Sequence, residues 1–228
     1  MLCLLDTANV DDIARCFDLY PVAGVTTNPT LIAREERPFH DILTDILKVI
    51  GERTMLHVQV LGPDAETMVA EANQLRDRLG PGIFPKLPVT QQGLKAIRLL
   101  AEAGFSVTAT AILTPLQALL AARAGATFVA PYVNRIDNIG GDGEGVVVDI
   151  VKMISIHALQ TKVLTASFKN VRQVHDMALA GAHAATMAPQ LLDMIFSHPL
   201  TDSGVADFNA DWAAAYGADT TTLDNDSE

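Results

Sequence analysis

Lys86 stands in Ile83-Phe84-Pro85-Lys86-Leu87-Pro88-Val89-Thr90, one cation inside an apolar segment too short for a helix and followed at once by a Thr-led helical pattern. Burial there disfavours the ammonium form, so the amine should lose its proton near neutral pH and become a nucleophile able to form a Schiff base with a carbonyl substrate. A strand-end lysine that snorkels to solvent is the bland alternative for this residue taken alone. Other polar residues stand where apolar runs give way to loops. They are Asp6, Thr26 and Asn28, Gln59, Thr110, Tyr132 with Asn134 and Arg135, and Ser167 with Lys169. Any one of them has a local explanation as a cap or turn residue. Together with Lys86 they are spread over seven strand ends and converge on that lysine, and they form a candidate site.

The chemistry of that set is specific. Asp6 and Asn28 could orient the amine and the hydroxyls of a substrate. Gln59, Thr110 and Tyr132 could hold a water or offer a phenol that moves protons during iminium formation and C–C cleavage. Arg135 and Lys169, with the Ser167 hydroxyl, make a cationic seat for a phosphate. The histidines do not join this pattern: His40, His57, His157, His175, His183 and His198 show no HxH or HExxH spacing and suit structural or solvated roles. By strand alternation His57 should point the same way as Gln59, one layer deeper in the fold.

The elements that must position these residues are short apolar runs at 2–5, 24–26, 55–60, 83–87, 106–109, 127–130, 162–165 and 184–187. Amphipathic patterns lie between them, at 10–19, 39–50, 64–79, 92–103, 115–124, 145–157, 171–180 and 190–197. Ala103-Gly104, Ala124-Gly125 and Ala180-Gly181 mark the returns from helix to strand, where a left-handed cap ends the helix. Eight βα units most simply close into a single-domain (β/α)8 TIM barrel, an α/β fold whose site lies at the strand ends. A doubly wound open sheet is the structural alternative, with no GxGxxG or P-loop match behind it. A further pattern at 204–216 carries Phe208, Trp212 and Tyr216 on one stripe, an extra C-terminal helix for packing on its own barrel or on a neighbour. The expected organisation is a barrel with this helix over 1–218 and a disordered acidic tail over 219–228.

Composition narrows the partners. The 228 residues carry a net charge of −11 with a pI near 4.8 and no basic run, which argues against nucleic acid and against an anionic membrane surface. The first residues lack the pattern of a signal peptide and no apolar run is long enough to cross a bilayer, so a cytoplasmic location is expected. Cys3 and Cys16 have no metal-like spacing and read as free thiols. A mean hydropathy of +0.24 is high for a soluble monomer and suggests that neighbouring subunits cover some helix surface.

Several motifs together resemble the transaldolase family, and within it the short bacterial branch that includes fructose-6-phosphate aldolase. The resemblance runs through Leu4-Leu5-Asp6-Thr7, Gly24-Val25-Thr26-Thr27-Asn28-Pro29, Lys86-Leu87-Pro88-Val89-Thr90, Ala130-Pro131-Tyr132-Val133-Asn134-Arg135-Ile136-Asp137 and Ala166-Ser167-Phe168-Lys169, to Asp211-Trp212. It covers nearly the whole chain. It implies a (β/α)8 barrel with Lys86 as the Schiff-base lysine and no metal or organic cofactor. It also implies a homodecamer of two pentamers in which the C-terminal helix reaches a neighbour. Transaldolases usually carry Glu in place of Gln59, and Ser-Pro-Phe followed by Gly-Arg in place of Ala130-Pro131-Tyr132 and Asn134-Arg135. These differences imply a lyase acting on sugar phosphates and dihydroxyacetone. Transaldolase is the alternative, and a non-catalytic sugar-phosphate-binding barrel is the rival from another class. Pro85 departs from both branches, where an aliphatic residue is usual, and is expected to alter the strand around Lys86.

Overall fold

The eight strands expected from the sequence are all present, and they close on one another. In the computed structural model, which describes residues 1–224, the strands are β1 (Leu2–Asp6), β2 (Val22–Thr26), β3 (Met55–Gln59), β4 (Ile83–Pro88), β5 (Thr108–Ile112), β6 (Phe128–Pro131), β7 (Lys162–Thr165) and β8 (Ala184–Met187). The helices are α1 (Val10–Leu19), α2 (Pro29–Arg34), α3 (Phe39–Ile50), α4 (Ala65–Leu79), α5 (Gln91–Glu102), α6 (Pro115–Arg123), α7 (Val133–Asn138), α8 (Gly143–Ile156), α9 (Val171–Leu179), α10 (Pro189–Phe196) and α11 (Pro199–Tyr216). Neighbouring strands pair in parallel in sequence order, and β8 returns to β1 to close a (β/α)8 barrel.

Side-chain caps explain where most helices start. Asn9, Asn28, Asp64, Thr90, Thr114, Asp142 and Asn170 each accept a first-turn backbone N–H, which would otherwise be orphaned. At the other ends Gly104, Gly125 and Gly181 take positive φ, as the Ala-Gly pairs require. Inside the barrel a layer of Leu4, Phe84, Phe128, Leu164 and Ala184 forms the floor on which the strand ends stand. Gly24 belongs to this interior by close approach: a Cβ there would lie 2.6 Å from the Met55 carbonyl oxygen. At the far end Lys162 places its ammonium 6.0 Å from the centre of the Phe128 ring.

Pro85 stands within β4 without interrupting it. The Lys86 carbonyl accepts from Val60 N on the β3 side, so alternation turns the imide nitrogen of Pro85 toward β5. Pairing with β5 begins only at Lys86 opposite Thr108. The missing N–H therefore falls before the ladder starts.

Two differences from the expected elements bear on the site. β5 starts at Thr108, two residues later than the apolar run, and its register with β6 shifts between Ala109 and Ile112, where Ala111 takes a φ of 60°. The six-residue helices α2 and α7 were not expected, being too short to carry a helical period.

The chain divides into two compact units, Met1–Leu191 and the segment from Leu192 on. The first holds the whole barrel. In the second, α11 starts at Pro199, N-terminal to the expected pattern at 204–216, and Phe208 and Tyr216 are 73% and 56% exposed. Thr222–Asp224 make one short 3-10 turn within the expected tail; positions 225–228 of that tail lie outside the described residues. Among the described residues no helix is long and apolar enough to cross a membrane.

Candidate active site

A cavity of about 580 Å³ opens at the C-terminal ends of the strands, and Lys86 lines it. Lys86 is an inward residue of β4 and 6% exposed, with its Nζ donating to the Thr27 carbonyl at 2.7 Å. Desolvation pulls its pKa below the ordinary lysine value, and the carboxylate of Asp6 opposes the shift. Asp6 ends β1. Its own pKa is raised by desolvation, against the Lys86 charge and a hydrogen bond from Thr26 Oγ1 at 2.8 Å. Amine and carboxylate are thus both pushed toward their neutral forms, and each restrains the other.

The remaining wall is made of hydroxyls, an amide and a phenol. Thr110 is fully buried on β5 and its Oγ1 lies 2.9 Å from the Tyr132 hydroxyl, which places the phenol on the same side as Lys86's neighbour strand. Tyr132 follows β6 and is held by its backbone: its N–H donates to Ile112 O, and it pairs with Ala166. Gln59, from the end of β3, lines the cavity beside them. Asn28 also lines it, although its Oδ1 is spent as the cap of α2, accepting from Leu31 N at 3.0 Å. That leaves the amide Nδ2 donors for the cavity.

The cationic rim has an equally local cause. Arg135 on α7 lies with its guanidinium 4.7 Å from the centre of the Tyr132 ring, and Ser167 and Lys169 follow β7 around the same opening. Ser167 takes a φ of 65°, a conformation that costs a non-glycine residue about 1–2 kcal/mol. Its carbonyl accepts Asn134 N at 2.9 Å, and the neighbouring Ala166 carbonyl accepts Val133 N at 3.0 Å, so the start of α7 is tied to the end of β7. Asn134 itself is not brought into the cavity. It is buried, and its Oδ1 faces Gln173 Nε2 at 3.4 Å, which in turn donates to Asp137 Oδ2 at 2.8 Å. Its place is in the α7–α9 contact.

Below the site, His57 lies where alternation placed it. It is fully buried, its Nδ1 lies 2.8 Å from Thr108 Oγ1, and its ring stacks on Phe84 with centroids 4.8 Å apart. Burial, with the charge of Lys86 adding to it, pushes its pKa down to about 3, so the imidazole is neutral under the floor of the cavity.

Sequence reasoning missed three polar residues of the cavity, Thr30, Arg34 and Thr186. Thr186 lies inside β8 rather than after it, so only the inward alternation with Ala184 could have indicated it. Thr30 and Arg34 belong to α2, the short helix that periodicity did not reveal. A neighbouring groove of about 380 Å³ shares Asn28, Pro29 and Gln59 but is otherwise mostly apolar and is lined by no lysine. Among the described residues no three His, Cys, Asp or Glu side chains gather as a metal site would need.

The family model described as Transaldolase/Fructose-6-phosphate aldolase matches residues 3–224. A protein of Desulforamulus reducens named "Probable transaldolase" is 44% identical over 213 residues, 93% of this chain and 97% of its own length. Proteins of the same name from Geobacillus sp. strain WCH70 and Geobacillus kaustophilus are 42% and 41% identical over 208 residues, 91% of this chain and 96% of theirs. The chain belongs to the transaldolase/fructose-6-phosphate aldolase family.

Proposed function

We propose that the protein is a class I, metal-independent aldolase that reversibly cleaves fructose 6-phosphate to dihydroxyacetone and glyceraldehyde 3-phosphate. The observation that carries this reading is the buried amine of Lys86, depressed in pKa and sharing one cavity with a single carboxylate, Asp6. Lys86 adds to the C2 carbonyl, water leaves, and the iminium forms. Asp6 takes the proton of the C4 hydroxyl, the C3–C4 bond breaks, and its electron pair moves into the iminium to give an enamine while C4 becomes the aldehyde. Arg135, Lys169 and Ser167 hold the phosphate at the rim.

Lyase and transferase part at the enamine. A lyase protonates it and hydrolyses the iminium, whereas a transaldolase holds it for a second aldehyde. The amide of Gln59 cannot serve as an acid or base, and the Tyr132 phenol with Thr110 supplies a proton donor instead. Both features favour release of dihydroxyacetone. Transaldolase remains the second reading, favoured by the name that the relatives carry. Purified protein given fructose 6-phosphate alone should release dihydroxyacetone. If it makes sedoheptulose 7-phosphate readily with erythrose 4-phosphate added, yet releases negligible dihydroxyacetone without it, the second reading replaces the first. The exposed Phe208 and Tyr216 of α11 and the mean hydropathy of the chain support a homo-oligomer, the decamer by family likeness. A cytoplasmic location fits a sugar-phosphate enzyme of this kind.

A further inference from the structure

Thr186 ends a chain of hydroxyls that leads to Asp6. It is 3% exposed, it lines the cavity, and its Oγ1 lies 2.7 Å from Thr26 Oγ1, with either hydroxyl able to donate. Thr26 Oγ1 lies in turn 2.8 Å from Asp6 Oδ1. A hydroxyl has one proton, so Thr26 cannot donate to Asp6 and to Thr186 at once. Two arrangements satisfy the chain. When Asp6 is ionised, Thr186 donates to Thr26 and Thr26 donates to the carboxylate. When Asp6 is protonated on Oδ1, the oxygen that faces Thr26, its own O–H donates to Thr26, and Thr26 turns its proton toward Thr186. Lining the cavity, Thr186 keeps an open side for its own proton in the second arrangement.

We propose that Thr186 is a positioning residue that allows Thr26 to serve both protonation states of Asp6, keeping the carboxylate basic enough to take the substrate hydroxyl proton and able to return it. The proposal rests on the reading of Asp6 as the base of the aldol step. Its chemistry is the proton balance already given: the proton leaves the C4 oxygen for Asp6 in cleavage and returns from Asp6 to the aldehyde oxygen in synthesis. The reversal needs no new group, only the rotation of two hydroxyls.

Loss of the Thr186 hydroxyl would act on the two states unequally. With Thr186→Val the ionised state keeps its bond from Thr26. The protonated state instead leaves the buried Thr26 O–H without an acceptor, which is the costlier defect. The pKa of Asp6 should therefore fall and the carboxylate should become a weaker base. The charged or titratable groups that line the cavity with Asp6 are Lys86 on β4, Arg34 on α2, Tyr132, Arg135 on α7 and Lys169, of which Lys86 is the charge that acts on Asp6 directly; His57 on β3, below them, feels the charge of Lys86 in its turn. Thr26 and Thr186 add no charge, so the substitution leaves the electrostatic surroundings of Asp6 as they are.

The test is an infrared titration of the carboxyl band that disappears in Asp6→Asn, on full-length protein, alongside the rate of fructose 6-phosphate cleavage. Thr186→Val should lower the Asp6 midpoint by about one pH unit and slow cleavage roughly 3- to 10-fold, the scale of losing one buried acceptor and part of a general base. Thr186→Ser should restore both. Thr186→Ala, which lacks the hydroxyl and opens space, should shift the midpoint like Thr186→Val and guards against a packing artefact in the latter. An unchanged midpoint in Thr186→Val and Thr186→Ala overturns the proposal, as does a rate loss that serine does not restore. Borohydride trapping of dihydroxyacetone separates this failure from that of the aldolase reading, because labelling of Lys86 needs no C4 proton. Wild type without label refutes the aldolase reading; labelled variants with an unmoved Asp6 refute the relay alone.

Discussion

At the scale of single residues, the site depends on a lysine that is nearly fully buried yet not isolated. Its Nζ has one backbone acceptor, Thr27 O, and one carboxylate in electrostatic range, Asp6. Desolvation outweighs that carboxylate, so the neutral amine is available at lower pH than for a lysine in water. Borohydride trapping with dihydroxyacetone should label Lys86 in wild type and fail in Lys86→Ala, and the labelling rate should climb with pH well below 10.5, the ordinary lysine value. Label at Lys162 or Lys169 would overturn the assignment. Arg135 gives a second test at this scale. It is exposed, lies over the Tyr132 ring and faces the cavity, so its charge is free for an anion. Arg135→Ala should raise KM for phosphorylated aldehydes about tenfold or more, as loss of a charge-assisted bond implies, and leave unphosphorylated aldehydes of similar size nearly untouched. Equal losses for both would make Arg135 a structural residue.

At the scale of elements, the βα units set which residues reach the site and which serve the frame. Thr90 belongs to the same short motif as Lys86, but its Oγ1 accepts Gly93 N at 3.0 Å and caps α5, while the preceding Val89 N is bound to Thr110 O. Thr90→Ala should lower stability by about 1 kcal/mol through the start of α5, seen as a lower denaturant midpoint at unchanged slope, with Schiff-base labelling retained. Loss of labelling at unchanged stability would instead move Thr90 into the chemistry. The alternation of apolar runs with amphipathic segments made the barrel legible, since parallel strands buried on both faces have to read that way. Residues that follow strands were legible for the same reason. Thr186 was not, because a polar residue within a four-residue strand looks like ordinary strand composition until its inward direction is known. Nor was Asn134 distinguishable from Arg135: they are adjacent on α7, a helix too short to show which of them faces the mouth. The φ values of Ala111 and Ser167 lie beyond any sequence signal of this kind, because neither residue type favours positive φ.

For the whole molecule, the barrel interior is an apolar column with one buried imidazole beneath its reactive end. His57 bonds Thr108, stacks on Phe84 and meets Phe128 edge-on at 5.4 Å, while its Nε2 has no partner. This arrangement tolerates a neutral ring and opposes a charged one, as the fall of its pKa to about 3 expresses. The sign for stability follows. Below its ordinary value of 6.5 the histidine gains a proton in the unfolded chain but not in the folded barrel, so its contribution weakens as pH falls from 6.5 toward 3. The slope is about 1.4 kcal/mol per pH unit, or roughly 2 kcal/mol between pH 7 and pH 5. His57→Phe preserves the aromatic stack and removes the titration. Denaturation of the two proteins at equal concentration should therefore show the variant gaining about 2 kcal/mol on wild type over that range, whatever offset the lost bond to Thr108 leaves at pH 7. A constant offset would mean that the imidazole takes up its proton inside the folded barrel, and that the column beneath Lys86 admits a second positive charge.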